Sequence, residues 1–339
     1  TANIGSAGLN HPDVKLLLNS VLCPSTGEAN PFQAPPKPDV ICLQETNVMR
    51  DTDDHASWLY QTHSYNSLIV EDRIGQEYIP CGGVGLLWNA SDSSPWLWQQ
   101  LHHSMDSFGL CAIQGTHKTT AHKVVVASLY LRPRHGRRGA ADGPQSSMVR
   151  NEVVIAKLSE LIQWTKDTGM DLIIGGDWNQ RIGSWQNAAA RFPDTWPWKS
   201  RQSADTPKSQ SKWMKTFMEE SDMLIVSGTL KPTPKTSTSI FRGTTGGATP
   251  DYITMVHSSS CGFSIRREGA VDFHRLGGNN HVPIFVQFVS EMRVSEKQQP
   301  SPRQGGDSAV LEKPICSSKL IVLSFTINKL VLPLILLCI

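Results

Sequence analysis

The sequence predicts a layered α/β sandwich built on mixed β-sheets, and three observations carry that expectation. A strand, helix, strand order appears twice, once in the opening residues and once around residues 149–174. That is the pattern of adjacent parallel strands. The stretch between them is a succession of strands without long helices, which requires antiparallel members in the same sheets. Finally, the apolar runs end in polar residues, where a rigid sheet positions ligand-binding loops. The clearest case is the run 172–174, bounded by Gly175 and Gly176, which delivers Asp177 and Asn179 just beyond the strand end.

Taken in order, a first strand ends at Asn3, and residues 12–22 place Val14, Leu17, Leu18 and Val21 at helical spacing. Residues 24–38 contain five prolines and read as an irregular loop. Val40-Ile41-Cys42-Leu43 is a buried strand with Gln44, Glu45 and Thr46 at its exit. A short helix over 56–61 precedes strands at 65–70, 83–89, 111–115 and 123–131. An Arg- and Gly-rich loop, 133–143, leads into a helix over 149–166, where Val154, Leu158, Leu161, Ile162 and Thr165 share one face. After Gly183 come Trp185, Trp196 and Trp198, a helix over 212–220, and strands at 222–226, 251–256 and 282–288. The two strand–helix–strand halves hint at internal duplication, without a sequence-level repeat that proves it.

At 339 residues the chain can form a sizeable core, and a net charge of +2 assigns no polyanionic partner by itself. The seven cysteines are scattered with no Cys-x-x-Cys pair, which argues against a zinc site or a disulfide framework. Reduced thiols point to an intracellular setting, the nucleus among the candidates. Thr1-Ala2-Asn3-Ile4 shows no signal peptide and reads as the middle of a strand, so the N-terminal strand is expected to be truncated.

One globular domain is expected over 1–292, followed by a disordered linker over 293–318. Residues 319–339 form an apolar tail long enough to span a membrane. Lys329 within it costs about 2.5–3.5 kcal/mol on insertion scales, so a membrane contact competes with a tail of no function, a gene-prediction artefact.

The polar strand ends are Asn3, Glu45, Tyr130, Asp177, Asn179, Asp251, Asn280 and His281. If they converge, Glu45 with a neighbouring oxygen donor suits Mg²⁺, which takes few carboxylates and keeps several waters. Asp177 can then orient or deprotonate an attacking water, and His281 can donate to phosphoryl oxygens if Asp251 holds it charged. Each residue has a plainer reading: Asp177 and Asn179 as an Asx-turn, Asp251 as a turn cap, His281 as a satisfied loop histidine. The basic loop beginning Arg132 and Arg134 suits a phosphate backbone or is simply solvated.

Ala2-Asn3-Ile4, Leu43-Gln44-Glu45-Thr46, Gly176-Asp177-Trp178-Asn179, Asp251-Tyr252-Ile253 and Asn280-His281-Val282-Pro283 together resemble the motifs of the endonuclease/exonuclease/phosphatase superfamily, in the family's order. The resemblance implies a four-layer α/β sandwich, two mixed sheets flanked by helices, with one divalent metal and hydrolysis of phosphate esters. It implies that Glu45, Asn3 and Asn280 surround the metal, Mg²⁺ or alternatively Mn²⁺. It further implies that Tyr130 contacts phosphate, that Asp177 and Asn179 handle the water, and that Asp251 pairs with the catalytic His281. Asn280 departs from the pattern, since most members have Asp before the histidine; the amide keeps an oxygen but loses a charge.

Gly82-Gly83-Val84-Gly85-Leu86-Leu87 and the run from Thr249 to Ile253 look most like a non-LTR retrotransposon endonuclease domain, which implies DNA as partner. The alternatives are a phosphatase or phosphodiesterase acting on a lipid headgroup or inositol phosphate, and a catalytically impaired nucleic-acid-binding member.

Overall fold

The computed structural model describes residues 37–46, 57–70, 82–101, 108–133, 144–187, 206–228, 251–258, 263–270, 284–291 and 317–326, together with residues 15, 18, 19 and 22 and two ribbons of two-residue strands, 73–74 with 77–78 and 239–240 with 247–248. The strands are β1 (Val40–Gln44), β2 (Tyr65–Val70), β3 (Val84–Asn89), β4 (Trp96–Gln100), β5 (Leu110–His117) and β6 (Lys123–Tyr130). They continue with β7 (Asp171–Asp177), β8 (Met223–Ile225), β9 (Asp251–Val256), β10 (Phe263–Ala270), β11 (Ile284–Glu291) and β12 (Ser317–Thr326). The helices are α1 (Ser57–His63), α2 (Pro144–Asp167) and α3 (Lys212–Glu220).

Two six-stranded sheets result, in the orders β10-β11-β12-β1-β3-β2 and β8-β9-β7-β6-β5-β4. Each sheet has one parallel pair, β1 with β12 and β6 with β7. The second pair is the predicted strand–helix–strand unit, crossing over through α2. Alternate residues of both sheets fill the space between them: Val40, Cys42, Val84, Leu86 and Val322 from the first, Ile113, Val124, Val126, Ile173 and Ile253 from the second. The opposite face of the second sheet packs Leu129, Leu172 and Ile174 against Val154, Leu158, Leu161 and Ile162 of α2 and Met214 and Met218 of α3. On the first sheet, buried Ile41, Leu43, Leu87 and Phe285 alternate with the inter-sheet set and so face outward. Helices outside two facing sheets make the expected four-layer α/β sandwich.

One boundary is corrected. The sheet does not stop at residue 292: β12 comes from the stretch read as linker and tail, and Leu320 and Val322 are fully buried in it. An apolar run fits the middle of a sheet as well as it fits lipid, and only long-range pairing tells the two apart. Among the described residues no helix is long and apolar enough to cross a membrane.

Buried polar groups stitch the sheets together. The Gln44 amide donates to Ser128 Oγ at 2.9 Å and to the Gly175 carbonyl at 3.3 Å, while Ser128 Oγ donates to the Leu43 carbonyl at 2.8 Å. Cys42 is a neutral core thiol, its pKa pushed up to about 12 by burial.

Two buried histidines make stability depend on pH. Burial, then the Lys37 charge, holds His63 below its ordinary 6.5, and burial, then His122, does the same for His117. The unfolded chain takes up these protons near 6.5 and the folded one does not, so their contribution is complete above that pH and is lost as pH falls through and below it. The urea midpoint is therefore expected to drop roughly one pH unit below 6.5, and His117→Gln should shrink that drop. An unchanged pH profile in the variant would refute this.

Candidate active site

The site lies at the end of the inter-sheet space where β1, β6 and β7 finish. β6 and β7 are parallel and β7 and β9 antiparallel, with Tyr130 paired to Asp177 and Asp177 paired to Asp251. Paired residues on neighbouring strands share a face. These three therefore form one row, on the face that carries Val126, Ile173 and Ile253 toward the first sheet. All three are buried.

Glu45 comes to this row from the other sheet. It follows β1 with φ 51°, a left-handed conformation uncommon for a non-glycine residue and frequent at functional sites. Its Oε1 accepts a hydrogen bond from the Tyr130 hydroxyl at 2.7 Å, although the two residues are 85 apart in sequence. Burial and then the Glu45 and Asp177 charges raise the Tyr130 pKa well above its ordinary value, and Arg132 opposes them. The phenol thus stays a neutral donor, fixing the Glu45 carboxylate.

The loop after β7 holds Asp177 just as firmly. Asp177 Oδ1 accepts the Asn179 backbone N–H at 2.9 Å, and the Asn179 side-chain amide donates to Asp177 Oδ2 at 3.1 Å and to the Leu131 carbonyl at 2.7 Å. This is the Asx-turn of the plainer reading, and here it also presents a buried carboxylate. Between them, Trp178 is fully buried in the helix-side core. The Tyr252 hydroxyl donates to the Gln180 carbonyl at 2.9 Å, and Ser211 Oγ donates to that of Arg181 at 2.9 Å. Asn179 at φ 49° suits a residue type that tolerates this region.

Gly176 allows the close approach of β6. A Cβ there would lie 2.6 Å from the Leu129 carbonyl oxygen and 2.8 Å from Leu129 Cβ. Gly176→Ala is expected to cost about 1–3 kcal/mol by overpacking and to lower turnover by moving Asp177. Unchanged urea stability and turnover would contradict this close packing.

The structure therefore brings together Glu45, Tyr130, Asp177, Asn179 and Asp251. Arg132 stands beside them: its backbone N–H donates to Asn151 at 2.9 Å and its charge reaches the Tyr130 hydroxyl. Asn3, Asn280, His281 and Arg134 lie outside the described residues, as do Trp196 and Trp198. Trp185 packs against the helix-side core under the Lys215 ammonium, which is satellite-core behaviour.

Sequence reading missed the Gln44–Ser128 tie and a second polar centre at the far end of β7. There, buried Asp171 accepts from Ser258 N–H at 3.0 Å and faces His122 Nε2 at 3.3 Å and His257 Nδ1 at 2.8 Å. No local spacing signals a contact between strands so far apart in sequence.

Carboxylate oxygens are hard donors, which suit a hard divalent cation better than a soft one. Among the described residues no three His, Cys, Asp or Glu side chains gather into a metal cage.

No protein-family model and no curated protein sequence matches the chain. Solved structures do resemble it. The 3' phosphatase NExo from Neisseria, bound to a product DNA hairpin, is 18% identical over 83% of this chain and 95% of that chain, with a TM-score of 0.49. The likeness is one of architecture. The human Nocturnin catalytic domain with bound sulfate is 15% identical over 75% of this chain and 81% of that one, TM-score 0.44. The endonuclease domain of TRAS1, a telomere-specific non-LTR retrotransposon, is 12% identical over 72% and 95%, TM-score 0.41. These neighbours are members of the endonuclease/exonuclease/phosphatase family.

Proposed function

We propose that the chain is a metal-dependent phosphodiester hydrolase and, within that class, an Mg²⁺-dependent endonuclease that nicks DNA. One observation carries the reading: Tyr130, Asp177 and Asp251 share a single row of one sheet, and Glu45 of the other sheet is hydrogen-bonded into it. The motif resemblance supplies the substrate class.

In this reading Asp177 accepts a proton from water as the water oxygen attacks phosphorus. Asn179 holds the carboxylate in place. The bond from phosphorus to the leaving oxygen breaks, and His281, paired with Asp251, returns a proton to that oxygen. A divalent cation held by Glu45, with Asn3 and Asn280 as further oxygen donors, would neutralise phosphate charge. Tyr130 keeps the Glu45 carboxylate aimed. Arg132 and Arg134 serve the flanking phosphates.

The test is supercoiled-plasmid nicking with Mg²⁺, with EDTA, and with His281→Ala. Nicked circles formed only with Mg²⁺ and intact His281 support an endonuclease. Inorganic phosphate released from lipid headgroups or inositol phosphates, without nicking, would replace it by the phosphatase reading. DNA binding without turnover, unchanged in Asp177→Asn, would show a catalytically impaired member.

A further inference from the structure

Just past β6, one peptide group is gripped from two sides, the one joining Leu131 to Arg132. Its oxygen, the Leu131 carbonyl, accepts the Asn179 side-chain amide at 2.7 Å, and its Arg132 N–H donates to Asn151 Oδ1 at 2.9 Å. A peptide group is planar and rigid, so two asparagine side chains hold opposite edges of one plate. Asn151 Nδ2 also donates to the Arg132 carbonyl at 2.9 Å. An extended residue turns its N–H and its carbonyl to the same side, as it does when it exchanges both bonds with one partner in a β-ladder. Pro133 favours that extended form at Arg132. The Asn151 amide therefore does for Arg132 what a strand neighbour would do.

α2, which carries Asn151, is seated against the same place. The Gly109 carbonyl accepts the Tyr130 N–H at 2.8 Å, and a Cβ on Gly109 would lie 2.8 Å from Val154 Cγ2 of the helix. The Arg150 guanidinium lies over the Phe108 ring, 4.5 Å from its centroid. On the other side of the plate, the Asn179 Nδ2 that meets Leu131 also donates to Asp177 Oδ2 at 3.1 Å. Donation by the Arg132 N–H polarises the Leu131 carbonyl and strengthens its hold on Asn179.

We propose that Asn151 is a positioning residue of the hydrolytic site: it acts through the Leu131–Arg132 peptide on the Asn179 amide, and through that on the Asp177 carboxylate. This rests on the hydrolase reading above.

The test is a double-mutant cycle of Asn151→Ala and Asn179→Ala. It is read by Mg²⁺-dependent hydrolysis of plasmid DNA or inositol phosphate, whichever the parent turns over, and by NMR exchange of the Asn179 side-chain amide, which needs no turnover. Alanine is the better helix former, so the substitution does not weaken α2 itself. Asn151→Ala is expected to lower kcat about tenfold with KM within about twofold, and to lower it less than about twofold where Asn179 is already alanine. The Asn179 amide protons should exchange about fivefold faster in Asn151→Ala, the weight of one neutral hydrogen bond. The Asn187 side-chain amide, which donates to the Met218 and Met223 carbonyls at 3.0 and 3.2 Å, should keep its parent exchange and so report a folded variant. Asn151→Asp keeps an acceptor for the Arg132 N–H and should keep Asn179 exchange slow; this variant decides the matter if the alanine variant does not fold. Unchanged Asn179 exchange in Asn151→Ala, fast exchange in Asn151→Asp, a loss confined to KM, or an equal loss with and without Asn179 would overturn the proposal and leave the hydrolase reading standing. Faster Asn179 exchange in Asn151→Ala, with no hydrolysis of either substrate by the parent, would overturn the hydrolase reading and with it the site this link serves.

Discussion

Replacing Asp177 by asparagine is expected to lower phosphodiester turnover by about 10³-fold, within the range that a positioned acid–base group supplies, while the protein stays folded. Asp177 is buried at the end of β7, and both of its carboxylate oxygens are engaged by Asn179. Asparagine keeps one acceptor for the Asn179 backbone N–H. Its own amide then faces the Asn179 amide, donor to donor, at a cost of about 1 kcal/mol. In the proposed reaction the variant loses the carboxylate that takes the proton from water, while Glu45 is left unaltered. Steady-state turnover and thermal unfolding separate the two effects. Turnover within a few-fold of the parent would remove Asp177 from the chemistry and return it to a capping role.

The second large effect is expected from Tyr130→Phe. The phenol is held neutral by burial and by the carboxylates around it, so its function is donation, and its acceptor is Glu45 Oε1 at 2.7 Å. Groups that orient a ligand from behind carry about 10–100-fold in affinity or activity when removed. Phenylalanine preserves the apolar ring in the inter-sheet core that also holds Val126 and Cys42. A fall in turnover accompanied by a higher Mg²⁺ requirement identifies loss of carboxylate orientation. A fall with no change in metal requirement would place Tyr130 directly on the substrate.

The parts of the site that the sequence shows are those where chemistry follows an apolar run. Val40-Ile41-Cys42-Leu43 announces Glu45, the run 172–174 announces Asp177, and Asp251 opens a strand that pairs with it. Helical spacing placed α2 from residue 149, since Val154, Leu158, Leu161, Ile162 and Thr165 sit on one face; the structure begins the helix earlier, at Pro144, a residue suited to a first helical turn. Three strands escaped. β4 and β10 are edge strands, Trp96–Gln100 and Phe263–Ala270, and edges tolerate the polar and charged residues that disguise them. β12 escaped for the opposite reason: its apolar run suits lipid and sheet interior equally, and its partners lie far away in sequence. The Tyr130–Glu45 contact likewise depends on how two sheets stack, which no local pattern encodes.

The central claim is that residues from the two sheets make a single hydrolytic centre. A double-mutant cycle on Glu45 and Tyr130 tests it most directly, because a hydrogen bond between the two sheets joins them. The account predicts that Tyr130→Phe lowers kcat/KM by about tenfold or more in the parent and by less than about twofold once Glu45→Gln has removed the carboxylate it aims. The same loss in both backgrounds would contradict it.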